Sequence, residues 1–271
     1  MAFVKRCLKW AVAFLLQRSS WLASSVLFRF YVQSELLQLS LGLLRRSAGS
    51  TGRAPFFLVV GACDGKRYDD VTPWLHKIPN SRALLVEPLP WNVRDLRVNY
   101  SDATRYTIEQ CAVANYDGSI QMKFVPESAL RAGRVPQYAY GLGTITDRNL
   151  LSGKFFFGAE ARDQTVKDCV EELTVPCYRL STLLDKHRVE RIDVLLIDVE
   201  GFDWNVLSQF DFNKFSPLVV KVEIGCLPPE EIGRAIVLLS EHKYSVQLVE
   251  YDLIAIHGSL VGGSTSHMAP R

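Results

Sequence analysis

Short runs of consecutive apolar residues alternate along the chain with segments whose apolar positions recur at helical spacing. The apolar runs lie at 56–60, 83–86, 106–108, 194–197 and 218–222, and the helix-sized segments at 91–100, 180–187, 202–210 and 229–242. Runs that are apolar on both faces are typical of a parallel sheet covered by helices on each side. Two further runs, 246–250 and 253–257, predict a closing hairpin. The pattern therefore predicts an α/β fold with a Rossmann-like sheet, mostly parallel with an antiparallel last strand, and helices on both faces.

The stretch 114–178 interrupts this alternation. It contains strand-like segments at 119–125 and 172–177 around a loop rich in glycine and tyrosine. An insertion of this length between sheet elements is usually functional, so we expect it to cover the substrate. Tyr138, Tyr140 and Thr144 in the loop are candidate substrate contacts, although loop aromatics equally often pack locally.

The first 53 residues differ in charge from the rest of the chain. They hold eight Lys or Arg and one acid, a net charge of +7, whereas the remaining 218 hold 23 basic and 28 acidic residues, a net charge of −5. Apolar residues between positions 3 and 14 recur at helical spacing, which predicts a basic amphipathic leader. Such a segment is either a mitochondrion-like targeting sequence or a helix on an anionic membrane surface. The alternative is a helical layer packed on the domain, since residues 36–44 are very apolar.

These features predict three parts of the chain. They are a leader and linker over 1–53, a domain over 54–258 with a substrate-side insertion at 114–178, and a flexible tail over 259–271. The sequence lacks the roughly 18 uncharged apolar residues of a membrane-spanning helix. We expect an intracellular protein in the cytoplasm, in an organelle or at a membrane surface, and the sequence leaves its oligomeric state open.

Composition excludes several classes of function. The acidic body of the protein disfavours a surface that coats nucleic acid. The six cysteines are scattered without a CxxC pair, which favours buried reduced thiols over disulfides or a zinc site.

The first candidate for chemistry follows the first apolar run, where residues 59–65 are Val-Val-Gly-Ala-Cys-Asp-Gly. Gly61 suits a tight turn, and Gly65 is expected to keep the backbone open to a ligand. Glu87 ends the next apolar run, where an acid can accept hydrogen bonds from both hydroxyls of a ribose. The alternative for Glu87 is a solvated acid before a turn proline.

The charge of this loop bears on the kind of nucleoside. Cys63 stands where a dinucleotide-binding GxGxxG motif has its second glycine, and Asp64 adds a negative charge where a phosphate would lie. A cationic ligand with a sulfonium and an amino group tolerates that acid. The sequence thus favours S-adenosylmethionine over NAD, and a methyltransferase over an NAD-linked oxidoreductase.

Four motifs together resemble the FkbM-type methyltransferase family over residues 55–257. They are Val-Gly-Ala-Cys-Asp-Gly at 60–65, Val-Glu-Pro-Leu-Pro at 86–90, Arg-Leu-Ser-Thr-Leu at 179–183 and Ile-Asp-Val-Leu-Leu-Ile-Asp-Val-Glu-Gly at 192–201. The resemblance implies a class I fold dependent on S-adenosylmethionine and O-methylation of a hydroxyl on a small molecule or sugar. Family members commonly have Asp and Asn where this chain has Val59 and Cys63. These departures leave a catalytically silent binding domain as the alternative.

The resemblance also implies which residues contact the cofactor. Those near the methionine end are Gly61, Ala62, Asp64 and Gly65; Glu87 is expected at the ribose, with Pro88 on the adenine side, and Gln110, Cys111 and Ala112 near the adenine ring.

Asp198 and Glu200 are the predicted catalytic residues. They follow the fourth apolar run, and their i, i+2 spacing puts both side chains on one face if the strand persists. A carboxylate there can take the proton of a hydroxyl acceptor during transfer. Together with Glu223 they can instead hold a divalent cation, and the structural alternative is that Asp198 caps the next helix while Glu200 faces water.

Overall fold

The computed structural model describes residues 37–46, 49, 52–67, 72–146, 164–249 and 251–262. Its main sheet has seven strands in the order β10-β11-β9-β8-β1-β2-β3. The strands are β1 Phe56–Val60, β2 Arg82–Val86, β3 Tyr106–Glu109, β8 Val194–Ile197, β9 Val219–Glu223, β10 Tyr244–Val249 and β11 Asp252–His257. From β3 to β9 neighbouring strands are parallel, whereas β11 runs antiparallel to both β9 and β10. The predicted mostly parallel sheet, with its antiparallel strand and closing hairpin, is confirmed.

The predicted insertion contributes to a second sheet of four strands, in the order β4-β7-β5-β6. Its strands are β4 Ala112–Val113, β5 Gly118–Phe124, β6 Gly143–Thr144 and β7 Glu171–Tyr178. Met122 and Phe124 of β5 pack in one apolar cluster with Leu89, which follows β2. This packing sets the second sheet beside the carboxyl end of the main sheet.

Helices cover both faces of the main sheet. Helical segments occur at residues 37–46, Trp74–Lys77, Pro90–Asn99, Glu127–Arg131, Gln164–Lys167, Leu180–Lys186, Asp203–Leu207, Pro229–Glu241 and Gly258–Gly262, with a 3₁₀ turn at Gln137–Ala139. Successive side chains of a strand point to opposite faces. Accordingly, Val60 packs with the helices Leu180–Lys186 and Pro229–Glu241, and Val59 packs with the helix over 37–46. The predicted layering is therefore confirmed.

The helix over residues 37–46 is part of the domain core. Leu37, Leu41 and Leu44 are buried in the same apolar cluster as Val59. This agrees with the packed helical layer that we considered as the alternative to a separable leader, and it extends the described core well before residue 54. Residues 1–36 of the predicted leader lie outside the described residues.

The other chain-end and cysteine predictions have mixed outcomes. The described start of the predicted tail is helical at Gly258–Gly262, whereas residues 263–271 lie outside the described residues. The five described cysteines are free thiols, of which Cys111 and Cys177 are buried as expected, whereas Cys63, Cys169 and Cys226 are half-buried. In the described ranges, every helix is too short or too polar to cross a bilayer.

One local prediction is wrong. β8 ends at Ile197, so strand alternation does not continue through Asp198 to Glu200. The chain instead forms a loop over 198–202, in which Glu200 has φ +57° and Gly201 φ +99°. Both values lie in the left-handed region, which turns the chain away from the strand direction.

Candidate functional site

A cavity of about 370 Å³ opens at the carboxyl ends of the parallel strands. Gly61 after β1, Glu87 after β2 and Asp198 after β8 line it, together with Glu223 at the end of β9. The strand order runs outward from β1 in both directions, to β2 and β3 on one side and to β8 and β9 on the other. In open α/β sheets, ligands bind at such a switch point, and the volume is typical of small-molecule sites.

Gly61 allows the ends of β1 and β8 to approach each other closely. Its φ is +87°, and a Cβ at this position would lie only 1.7 Å from the carbonyl oxygen of Asp198. The amides of Gly61 and Ala62 both donate to the carbonyl of Val86, at 2.9 Å each. The glycine loop is thereby fixed between β2 and the acidic loop after β8.

Gly65 has a different role from the one expected. A Cβ there would lie 2.4 Å from the ring of Tyr100, and the Tyr100 hydroxyl donates to the Gly65 carbonyl at 2.9 Å. The missing side chain therefore makes room for the end of the helix Pro90–Asn99 rather than for a ligand.

Asp64 uses its carboxylate within its own turn. Its Oδ1 accepts hydrogen bonds from the amides of Lys66 and Arg67, and its Oδ2 pairs with the Arg67 guanidinium at 3.4 Å. Asp64 does not belong to the described cavity wall, whereas Arg67 does and lies 4.2 Å over the Tyr140 ring. The cavity wall therefore lacks the carboxylate of Asp64 that was expected to repel a phosphate.

Glu87 joins the cavity to the glycine loop. Its Oε2 accepts from the Cys63 amide at 2.9 Å, and its Oε1 accepts from the Leu89 amide at 2.9 Å and from Asn92 Nδ2 at 3.2 Å. The side chain is only 4% exposed, and this burial raises its pKa to about 7 despite the three donors. A carboxylate offers about four lone-pair positions, so Glu87 retains room for one ribose hydroxyl rather than the expected two.

Cys63 occupies a strained position in the cavity wall. Its φ of +47° is a conformation that favours glycine or asparagine, so the asparagine common in the resembling family suits this backbone. A Cβ on Gly141 would lie 2.9 Å from the Cys63 sulfur. Burial, followed by the charges of Glu87 and Asp64, raises the thiol pKa far above its ordinary value, so the thiol stays neutral.

The acidic loop after β8 is held from two sides. Asp203 Oδ1 accepts from the Val199 amide at 2.8 Å, and its Oδ2 accepts from the Gly201 amide at 2.9 Å. From the second sheet, Thr144 Oγ1 donates to the Glu200 carbonyl at 2.8 Å. Asp198 and Glu200 therefore line the same cavity because of this loop, and not because of strand alternation.

Glu223 is a buried acid of the cavity wall with one carboxylate oxygen left unpaired among the described residues. It is 8% exposed, and its Oε2 finds no hydrogen-bond partner among the described residues. One ligand atom each from Asp198, Asp203 and Glu223 lie within 4.8 Å of one another, and the same holds for Glu200, Glu223 and Cys226. Burial, followed by the charges of neighbouring acids, raises the Glu223 pKa well above its ordinary value.

Lys221 and Asp252 are cavity residues that the sequence analysis missed. Lys221 Nζ lies 3.1 Å from Asp252 Oδ2, and both side chains line the cavity. The sequence did contain a signal for Lys221, because a lysine stands there inside an otherwise apolar run. Asp252 lies between the two apolar runs of the predicted hairpin, 246–250 and 253–257, and in the structure it begins β11.

The structure brings most of the predicted site together. The predicted residues that line the cavity are Gly61, Glu87, Pro88, Cys111, Ala112, Asp198, Glu200 and Glu223. Four other described residues of the predicted site, Ala62, Asp64, Gly65 and Gln110, do not line it. Of the candidate substrate contacts, Tyr140 lines the cavity, Thr144 is bonded to the acidic loop, and Tyr138 lies in the 3₁₀ turn.

The strand order and the cavity at its switch point define a Rossmann-like α/β domain. Residues 60–246 match the family described as the methyltransferase FkbM domain. The chain belongs to this family, which confirms the resemblance found in its motifs.

Each match to an individual relative covers only part of this chain and part of the relative. The chain is 27% identical over 178 residues to the 31-O-demethyl-FK506 methyltransferase FkbM of Streptomyces tacrolimicus, a match that covers 62% of this chain and 65% of that one. The chain thus spans less than two thirds of that relative's length. Among solved structures, methyltransferase FkbM of Methylobacillus flagellatus KT is 11% identical with a TM-score of 0.47, covering 75% of this chain and 44% of the other. Precorrin-6y C5,15-methyltransferase of Geobacter metallireducens GS-15 is 13% identical with a TM-score of 0.38, covering 82% and 86%.

Proposed function

We propose that this chain is an S-adenosylmethionine-dependent methyltransferase that methylates a hydroxyl oxygen on a small molecule or sugar. The observation that carries the proposal is the buried carboxylate of Glu87, which lies in the cavity wall and is hydrogen-bonded to the glycine loop through the Cys63 amide. Membership of the FkbM domain family supports methyl transfer as the reaction.

The end of the cavity beside Glu87 suits a nucleoside. Glu87 keeps one acceptor position for a ribose hydroxyl, and Pro88, Cys111 and Ala112 supply apolar wall beside it. Gly61, which has no side chain, contributes only backbone atoms to the cavity wall. These residues would hold the adenosyl part of the cofactor.

The acidic end of the cavity suits the transfer itself. S-adenosylmethionine supplies a methyl group on a positively charged sulfonium. Asp198 and Glu200 line the cavity, and their negative charge favours a cation there. A hydroxyl acceptor must lose its proton, and a carboxylate within hydrogen-bond reach can take it. Alignment of the acceptor oxygen with the methyl group contributes much of the acceleration in such displacements.

The alternative of a catalytically silent domain drew on Val59 and Cys63. Val59 is fully buried in the core and is absent from the described cavity wall. Having valine here instead of the aspartate common in the family therefore does not change the residues that line the cavity. Cys63 contributes its backbone amide to Glu87, a contact that does not depend on the side chain. Both observations favour a functional cofactor site.

Cofactor binding is the first test. We expect isothermal titration to show saturable binding of S-adenosylmethionine and S-adenosylhomocysteine, and Glu87→Ala to weaken both by about tenfold to a hundredfold, because a hydrogen bond to a charged group is lost. Glu172→Ala, which changes an exposed acid of β7, serves as the matched control. Unchanged affinity in Glu87→Ala would remove the ribose assignment.

Methyl transfer is the second test. The protein is incubated with methyl-labelled cofactor and fractionated small-molecule extract, and labelled products are separated and identified. We expect Asp198→Asn to lose about a hundredfold or more of the labelling rate, a typical contribution of a proton-accepting group, while cofactor affinity stays the same. The control is Asp102→Asn, which changes an exposed acid that is distant from Asp198 in the sequence. Full labelling by Asp198→Asn would mean that another group takes the proton.

A further inference from the structure

Three acids from different elements converge on one point beside the cavity. Asp198 lies in the loop after β8, Asp203 begins the helix Asp203–Leu207, and Glu223 ends β9. Their carboxylate oxygens lie within 4.8 Å of one another. Oxygens on opposite sides of one hard cation are about 4.2 Å apart for Mg²⁺, since each metal–oxygen distance is about 2.1 Å. Three oxygens gathered within this span need only small shifts to share the coordination shell of a single ion.

Glu223 supplies an independent observation. More than nine tenths of its side chain is buried, and its Oε2 lacks a hydrogen-bond partner within the described part of the chain. A buried polar atom without a partner is rare in native proteins and calls for a ligand or a proton. Because Glu223 also lines the cavity, the cavity is the route by which a ligand would enter.

The local balance of charge also favours a cation. Asp198, Asp203 and Glu200 each bring a carboxylate oxygen within 4.8 Å of Glu223. The cavity lysine nearby, Lys221, forms an ion pair with Asp252 at 3.1 Å. A divalent cation among the acids would relieve their mutual repulsion without any further change of the chain.

The ligand atoms indicate the class of metal. A second set, Glu200, Glu223 and Cys226, includes a thiol. A thiol prefers softer metals, whereas the set Asp198, Asp203 and Glu223 offers carboxylate oxygens alone. The all-oxygen set suits hard cations such as Mg²⁺ and Mn²⁺.

We propose that Asp198, Asp203 and Glu223 bind one divalent hard cation, Mg²⁺ or Mn²⁺, at the acidic end of the cavity. Three protein oxygens leave about half of an octahedral shell open. If the proposed methyl transfer holds, an acceptor hydroxyl on this ion would have a lowered pKa. The slower labelling expected of Asp198→Asn would then reflect the loss of an ion ligand, and Glu200 would be the group that receives the proton. Binding of the ion itself does not depend on methyl transfer.

The test is titration of the full chain with Mn²⁺ alone, with free Mn²⁺ followed by electron paramagnetic resonance. We expect one saturable ion per chain, displaced by Mg²⁺, and Glu223→Gln to weaken Mn²⁺ binding at least tenfold. Glu172→Gln, an exposed acid of β7, is expected to bind like the wild type. Circular dichroism establishes that the variants are folded, and Asp198→Asn gives the same test should Glu223→Gln fail to fold.

Two results would overturn the proposal: absence of saturable Mn²⁺ binding by the folded wild-type chain, or equal binding by the wild type and the folded Glu223 or Asp198 variant. The former would mean that a proton, rather than a metal, stabilises Glu223. Saturable binding without any label transfer from the cofactor would support the metal site and contradict the proposed function, so the two failures are distinguishable.

Discussion

Glu87 combines three properties that its position in the sequence does not reveal together. It is buried, it accepts three hydrogen bonds from the chain, and it faces a cavity. Burial is the largest influence on its pKa, which rises from 4.5 to about 7. The carboxylate thus changes charge near neutral pH, where an exposed glutamate is fully ionised.

This pKa predicts how stability depends on pH. The folded-state pKa is above the unfolded value, so the contribution of Glu87 to stability is complete below about pH 4.5 and is lost as the pH rises through about 7. Because Glu87→Gln cannot ionise, the wild type should lose about 3 kcal/mol relative to this variant between about pH 4 and pH 8. Urea unfolding at a series of pH values measures the difference. A difference between wild type and variant that does not change with pH would contradict the raised pKa.

The sequence predicted the position of Glu87 but not its hydrogen bonds. Its place after an apolar run was enough to bring it to the carboxyl edge of a parallel sheet. The Cys63 amide donates this bond from a residue in the left-handed conformation, within a loop that is held by backbone hydrogen bonds between β2 and β8. Such a contact arises from tertiary structure and has no local pattern.

At the scale of elements, the segment over residues 137–146, which we call the cavity strap, connects the two sides of the site. The Tyr140 hydroxyl donates to Asp95 Oδ2 at 3.0 Å, on the helix Pro90–Asn99. At its other end, Thr144 donates to the Glu200 carbonyl in the acidic loop. The strap thus supports a loop whose residue Glu200 has an unfavourable φ.

Removal of the hydroxyl should weaken this support. Thr144→Val leaves the Glu200 carbonyl without its partner, a loss of about 1–3 kcal/mol in unfolding free energy. We expect slower label transfer with cofactor affinity changed less than about twofold, because the described hydrogen bonds of the Thr144 hydroxyl join Glu200 and Thr146 and do not reach Glu87. Urea unfolding and titration calorimetry measure both quantities.

Two further variants make this prediction specific. Thr144→Ser keeps the donor and should recover most of the labelling rate. Thr174→Val removes an exposed hydroxyl of β7 and should behave like the wild type. A loss in Thr144→Ser as large as that in Thr144→Val would contradict the prediction, because Thr144→Ser keeps the hydroxyl that donates to the Glu200 carbonyl.

The helices and strands could be predicted because each carries its own periodicity. The loop over 198–202 could not, because its shape depends on Asp203, Thr144 and the glycine turn at Gly61. Asp203 in particular looks like an ordinary helix-start acid in the sequence. Its role as the acceptor for two loop amides appears only in three dimensions.

At the scale of the whole molecule, the main sheet has a core on each face, and the helix over 37–46 completes one of them. The sequence left two alternatives for this segment, because a basic amphipathic leader and a packed helix share the same apolar pattern. Burial of Leu41 decides in favour of packing for the described residues.

Shortening the buried side chain of Leu41 should destabilise the domain. Leu41 is fully buried, so Leu41→Ala is expected to lower the free energy of unfolding by about 2–5 kcal/mol. Val98→Ala, at a position that is 74% exposed, should change it by less than about 0.5 kcal/mol. Urea denaturation of the full chain compares the two variants. A neutral Leu41→Ala would indicate that the helix is a separable leader after all.

The close approach of Gly61 to the carbonyl of Asp198 limits which positions of the site can be changed. Any side chain at position 61 would meet this carbonyl and push the ends of β1 and β8 apart, so Asp198 and Glu200 would move away from the glycine loop. Under the proposed function, redesign toward new acceptors should therefore keep glycine at position 61. It should begin with Met122 of β5 and with Ile145, which follows β6, because both residues line the cavity.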